Sequence, residues 1–168
     1  MGSKHDPSES LKSMTSTSVS PVALITGASR GIGRAIALEL ASQGYSIALN
    51  YLTNAEAAKE ALSAVRQKNV QAEIFQGNAG EPADCEKLVS ATLARFGRID
   101  VLVHNAALGS FKPTHKTRAN QWDLTLNVNT RAFLVLAQAV LKDMEKRGSG
   151  NMIALSSLGA GQYIPNYG

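Results

Sequence analysis

Three unequally spaced glycines, in Thr26-Gly27-Ala28-Ser29-Arg30-Gly31-Ile32-Gly33, constrain this chain more than any other feature. An apolar run precedes them, Val22-Ala23-Leu24-Ile25, with Pro21 in front. An amphipathic stretch follows, with Ile32, Ala35, Ile36 and Leu40 on one face of the helix it predicts. Strand, glycine turn and helix, in that order, are the context in which such a turn holds phosphate. Gly27 allows a sharp exit from the strand. Gly31 removes a side chain where a diphosphate must lie against the backbone, and Gly33 lets the helix pack closely on the strand. The helix start offers N–H groups and a partial positive charge to an anion. No Gly-Lys-Ser/Thr closes the loop, so it is not the phosphate loop of nucleotide hydrolases.

Strand and helix then alternate along the whole chain. Further strands are predicted at 45–50, 70–76, 99–104 and 152–155. A helix over 54–68 turns Ala58, Ala61, Leu62 and Val65 inward, and Pro82 opens another that ends near Phe96-Gly97. A long helical region runs from 117 to 147, bent near Asn127-Val128-Asn129. Its second half places Phe133, Ala137, Val140, Leu141 and Met144 on one face. Apolar strands with little alternation are what a parallel sheet covered on both faces requires. Right-handed crossovers then give a doubly wound α/β sheet, with ligands at the carboxyl ends of the strands. Those ends read Thr26-Gly27, Asn50-Tyr51, Gly77-Asn78-Ala79, His104-Asn105-Ala106-Ala107 and Ser156-Ser157, all small or polar except for Tyr51.

With 168 residues, 44% hydrophobic and 18% charged, the chain suits one globular domain with a real core. Its net charge of +4 is scattered among acidic residues, and aromatics make up only 5%, which argues against a nucleic-acid platform. No apolar run approaches a membrane span, so no membrane is expected. The single cysteine, Cys85, shares a helical face with Leu88, Val89, Thr92 and Phe96 and reads as a small buried hydrophobe. His5, His104 and His115 lie too far apart in sequence to form a metal-ligand spacing, so no metal is expected. A reducing cytoplasm is the default compartment. Residues 1–20 hold seven serines and two threonines with almost no apolar periodicity, and read as a disordered leader or tag. Residues 21–168 read as one dinucleotide-binding and catalytic domain.

The T-G-x-x-x-G-x-G spacing resembles the short-chain dehydrogenase/reductase family. That resemblance implies a Rossmann-like sheet of order 3-2-1-4-5, with later strands and a catalytic Lys lying past residue 168. It covers everything from about residue 20 onward, as the amino-terminal part of the family fold. It implies cofactor contacts at Gly27, Ser29, Arg30, Gly31, Ile32, Gly33, Asn50, Asn78, Ala79, Asn105 and Ala106. His104-Asn105-Ala106-Ala107 is similar to the family's N-N-A-G segment, departing from it at His104 and Ala107, and His104 reads as structural. Asn129 matches the helix asparagine that holds a proton-relay water, Ser157 the serine that binds the substrate oxygen, and Tyr167 the catalytic tyrosine. Tyr163 is placed on the substrate wall. A phenol of pKa about 10 is a poor acid at neutral pH. In the family a nearby ammonium and the cofactor's positive ring lower it.

An NAD site usually ends its second strand in Asp or Glu, which accepts from the ribose hydroxyls. Here Asn50 is neutral and Arg30 sits in the glycine loop, so NADPH is expected over NADH. The segments Ala48-Leu49-Asn50-Tyr51, Asn105 to Gly109, Gln121 to Asn127 and Ser156 to Tyr167 resemble the NADPH-dependent enoyl-acyl-carrier-protein reductases of the type III branch. The ten-residue interval from Ser157 to Tyr167 is shorter than is usual in the family's carbonyl reductases. This resemblance implies an acyl thioester substrate, possibly on acyl carrier protein, and a homo-oligomer when complete. Reduction of a ketone or 3-oxoacyl group is the alternative, and a non-catalytic nucleotide-binding module is the reading of another class.

Overall fold

β1 (Val22–Ile25) occupies the centre of a five-stranded parallel sheet of order β3-β2-β1-β4-β5. Its neighbours are β2 (Ser46–Tyr51) and β4 (Val101–His104), with β3 (Ala72–Gln76) and β5 (Asn151–Ala154) outside them. This computed structural model describes residues 19–109 and 111–166. The leader expected over residues 1–20, apart from Val19 and Ser20, therefore lies outside the described residues, as does Tyr167.

Side chains of successive strand residues point to opposite faces and build two cores. Ala23, Ile25, Ile47, Leu49, Val101 and Val103 meet α1 (Gly31–Ser42) and α2 (Ala55–Arg66) on one face. Leu24, Ala48 and Leu102 meet α3 (Pro82–Phe96) and α5 (Ala132–Arg147) on the other. All the residues of β1 and β4 are buried, as a sheet covered on both faces demands. A cluster of charges closes the end of the sheet opposite the glycine turn. Asp100 Oδ2 accepts from Val22 N–H at 2.8 Å, and Asp100 also binds the guanidinium groups of Arg98 and Arg147.

Three expectations need correction. In α1 the buried stripe is Gly33, Ala37 and Ala41, with Ile36 and Leu40 partly buried, whereas Ile32 and Ala35 are exposed. The glycine, not the isoleucine, faces inward because the helix starts almost in contact with the turn that precedes it. In α5 the stripe is Ala132, Leu136, Val140 and Met144, while Leu141 is exposed. Where the bend was expected, α4 (Ala119–Leu126) passes into a π-turn, Asn127–Arg131, before α5 begins.

The third correction concerns length. Residues 119–147 form one helical stretch of 29 residues containing an 18-residue window of mean hydropathy 1.3, which by length and composition could cross a membrane. The sequence reading missed it because the window joins two amphipathic segments through the π-turn. α5 lays its stripe on the sheet, and core helices of this kind also meet the same test.

Candidate functional site

Thr26 ends β1 and is fully buried. Its Oγ1 accepts the backbone N–H groups of Asn105 and Ala106, both at 3.0 Å. Asn105 Nδ2 donates to the carbonyl oxygens of Thr26 at 3.0 Å and Gly27 at 3.1 Å. The glycine turn is thereby tied to the end of β4 before any ligand enters. A Cβ on Gly33 would lie 2.5 Å from both Asn105 Nδ2 and Gly27 O, so its close partners are the turn and Asn105, not only the strand. Gly31 differs. Its φ is +56° and a Cβ there would meet nothing within 4 Å. Glycine at 31 thus serves a left-handed backbone and an open space, not packing.

The start of α1 is built to receive an anion. Arg30 precedes it in extended conformation, no side chain caps it, and its first turn holds no acidic residue. α2 shows the ordinary alternative: Asn54 Oδ1 accepts from Ala57 N–H at 2.9 Å, and Glu56 sits in the first turn. The first N–H groups of a helix need partners, and those of α1 have no side-chain cap.

A trough of about 550 Å³ opens at the carboxyl ends of the strands. Its wall includes Gly27, Ser29, Arg30, Asn50, Asn78, Ala79, Asn105 and Ala106, eight of the expected cofactor residues. Gly31, Ile32 and Gly33 lie beside it, in the first turn of α1, and are not in its lining. The lining also holds Tyr51, Gly77 and Ala107, which the sequence placed at strand ends without a cofactor role, and Leu52, Thr53 and Asn54 after β2, Leu108 after β4, and Leu124 and Val128 from the helix opposite, which it missed. Their position just past a strand end was the available signal for most of them.

Asn50 takes a different part from the one expected. It is 2% exposed. Its Oδ1 accepts from Gly27 N–H at 3.3 Å, and its Nδ2 donates to Gly77 O at 3.0 Å and Phe75 O at 3.3 Å. The amide therefore bridges the glycine turn to the end of β3, its N–H groups are committed to backbone carbonyls, and one acceptor position on Oδ1 remains. The half-buried strand-end residue facing the trough is Tyr51, which is also uncharged. The absence of a carboxylate at this end of β2 stands, but it belongs to Tyr51 as much as to Asn50. Asn78 shapes its own turn, its Oδ1 accepting from Gly80 N–H at 2.9 Å and its N–H donating to Asp84 Oδ2 at 2.8 Å.

Asn129 sits within the π-turn. Its side chain clamps Leu108 twice: Oδ1 accepts from Leu108 N–H and Nδ2 donates to Leu108 O, both at 2.8 Å. Ser157 is exposed at the end of the segment after β5 and caps the short turn Leu158–Ala160, Oγ accepting from Gly159 N–H at 3.2 Å. Tyr163 is 90% exposed on the same segment. Cys85 is buried, donates its S–H to Ala79 O at 3.2 Å beneath the trough, and has its thiol pushed up to about 11 by burial. Among the described residues no group of three or more His, Cys, Asp or Glu could hold a metal ion.

Fold, turn and trough together define a dinucleotide-binding α/β protein. A family model described as short chain dehydrogenase matches residues 21–168, and the chain belongs to that family. It is 36% identical over 146 residues to hydroxynaphthalene reductase arp2 of Aspergillus fumigatus, covering 87% of this chain and 53% of that protein. To the 3-oxoacyl-[acyl-carrier-protein] reductase FabG of Staphylococcus epidermidis it is 33% identical over 136 residues, covering 81% and 56%. The chain spans about half the length of these curated relatives. Among solved structures, a metagenomic short-chain oxidoreductase in complex with NADP matches with TM-score 0.83 and 32% identity, over 89% of this chain and 68% of that one. An NAD+-bound xylitol dehydrogenase matches with TM-score 0.82 and 30% identity, over 89% and 58%.

Proposed function

We propose that the complete protein is an NADP(H)-dependent reductase that converts a 3-oxoacyl thioester, or a ketone of similar shape, to the alcohol. The observation that carries the cofactor half is the trough itself. It has Arg30 at one wall, Tyr51 in place of a carboxylate at the end of β2, and an uncapped α1 beside Gly31. A guanidinium next to an uncharged strand end favours a 2′-phosphate over a bare ribose hydroxyl. The first turn of α1 would hold the diphosphate, and Asn78 and Ala79 would border the adenine. The NADP bound by one structural neighbour supports this reading. The carbonyl half is supported by the kinds of reductase this chain is similar to.

When bound, NADPH supplies the hydride. Tyr167 would donate its phenolic proton to the substrate oxygen, and Ser157 would orient that oxygen by hydrogen bonding. Asn129 would hold the relay water through its backbone carbonyl while its side chain keeps Leu108 in place. Hydride at C3 plus a proton on oxygen balances the reduction of ketone to alcohol.

A second reading is reduction of the C=C of a 2-enoyl thioester. It is favoured by the ten-residue interval from Ser157 to Tyr167. There hydride also goes to C3, Tyr167 would stabilise negative charge developing on the thioester oxygen, and a proton from solvent at C2 would complete the saturated thioester. The test is turnover of acetoacetyl and crotonyl thioesters by the complete protein, with NADPH and with NADH. Oxidation of NADPH with acetoacetyl thioester alone supports the first reading, and with crotonyl thioester alone the second. NADPH binding without turnover of either supports a nucleotide-binding module. We place the protein in the cytoplasm, acting as a homo-oligomer on substrates that acyl carrier protein could present. Fractionation of cells and the hydrodynamic mass of the complete protein check these points.

A further inference from the structure

His104 is the last residue of β4 and is 3% exposed. Its two ring nitrogens join parts of the molecule that are remote in sequence. Nδ1 lies 3.1 Å from Thr26 Oγ1, and Nε2 lies 3.0 Å from Val128 O in the π-turn. The hydrogens can be assigned by counting. Thr26 Oγ1 already accepts from the N–H groups of Asn105 and Ala106. A hydroxyl has two acceptor positions and one hydrogen, so that hydrogen is what Thr26 offers to Nδ1. A carbonyl oxygen only accepts, so Nε2 carries the ring hydrogen and donates to Val128 O. Every polar atom in the chain from the β4 end through Thr26 and His104 to the π-turn then has a partner, with a single direction of donation.

We propose that His104 is a positioning residue: in its neutral, Nε2-protonated form it couples the threonine that anchors the glycine turn to the π-turn that presents Asn129. Asn129 in turn clamps Leu108 on the trough wall, so a displaced π-turn moves both sides of the cleft. A second proton would put a donor on Nδ1, opposite a hydroxyl whose acceptor positions are both filled. That proton breaks the link to Thr26 and, through it, the alignment of turn and helix. The ring's neighbours include Thr26 just after β1, Val128 and Asn129 from the π-turn and Phe133 from α5, its ring centroid 6.0 Å away, and none of these carries charge; Ala154, its ladder partner on β5, is apolar. Burial pushes the imidazole below its ordinary value, against the raising effect of the Val128 and Asn129 carbonyls.

The functional part rests on the reading of Asn129 as a site residue, but the coupling itself can be read without turnover. Nitrogen NMR of the complete protein, with the signal assigned by its loss in His104→Asn, should show the Nε2–H tautomer at pH 7.5 and titration below the ordinary histidine value. A ring protonated at Nδ1, or charged at pH 7.5, overturns the proposal. Asparagine supplies one donor and one acceptor without titrating. His104→Asn should therefore keep turnover at pH 8 within about fivefold, one hydrogen bond's worth, and should lose the acid limb of kcat that coincides with the NMR titration. An unchanged acid limb in this variant overturns the proposal. His104→Phe, which can fill the space but makes neither bond, should lower kcat about tenfold or more at pH 8, two hydrogen bonds' worth, while retaining a cooperative melt. A cooperative melt with unchanged kcat in that variant also overturns it. If the wild-type protein turns over neither thioester, the functional reading fails while the NMR result stands by itself.

Discussion

β4 and β5 pair in parallel along four residues, Val101 to His104 against Asn151 to Ala154. Every residue of β4 is buried, whereas three of the four in β5 are exposed. The same division runs through the site. Its nucleotide side is built at the ends of sealed strands, where Thr26 and Asn105 bond to each other and Asn50 ties Gly27 to Gly77. The residues proposed for the reaction lie on segments that are exposed in these 168 residues, Ser157 and Tyr163 after β5 and Asn129 in the π-turn. Substitutions on the first side should be felt as stability and cofactor binding together. On the second they should be felt as turnover with little change in folding.

The broadest way to break this comparison is to cut side chains on the paired strands. Leu102→Ala, at a fully buried site, should cost about 2–5 kcal/mol in urea unfolding. Ile153→Ala, at a residue 48% exposed in the 168-residue chain, should cost that chain less than about 1 kcal/mol. Equal losses would erase the distinction. Next comes Gly33→Ala. Its Cβ has no room beside Asn105 and Gly27, so it should lose about 1–3 kcal/mol and shift the turn enough to weaken NADPH binding, read by fluorescence titration.

Asn50 and Tyr51 sharpen the comparison at neighbouring positions. Asn50→Ala leaves Gly27 N–H and Gly77 O without their partner and should cost about 1–3 kcal/mol in the same urea experiment. Tyr51→Asp should leave the melt nearly unchanged and move preference from NADPH toward NADH. If Asn50→Asp produced that switch instead, the assignment of roles would be reversed. The smallest effect is expected at Arg30, which is exposed: Arg30→Ala should weaken NADPH about tenfold, or about 1.4 kcal/mol, and leave NADH affinity unchanged.

The sheet was legible in the sequence because its strands are short apolar runs set between helices of ordinary period. Val22–Ile25 agrees residue for residue, and the glycine turn fixed the sheet order through the family it resembles. Which face of a helix turns inward was harder to read. Ile32 and Leu141 are as apolar as their buried neighbours, and in α1 only the close approach of Gly33 to the turn decides against Ile32. The roles of Asn50 and Asn129 were hidden for another reason. An amide looks the same in sequence whether it waits for a ligand or is committed to two backbones, and only the three-dimensional partners tell these apart. Tyr51 was named at its strand end but given no role, because a sheet covered on both faces shows no alternation to mark how neighbouring strand-end residues divide the work.

The π-turn has a consequence for how this chain could change. One extra residue in a helix rotates everything beyond it by about 100°. Removing a residue between Asn127 and Arg131 would swing Ala132, Leu136, Val140 and Met144 off the sheet and present Phe133, Ala137, Leu141 and Glu145 in their place, a bulkier set that ends in a charge. The irregularity beside the cleft is therefore locked in by the packing of a helix sixteen residues long, and a lineage could discard it only by rewriting that helix's buried stripe at the same time.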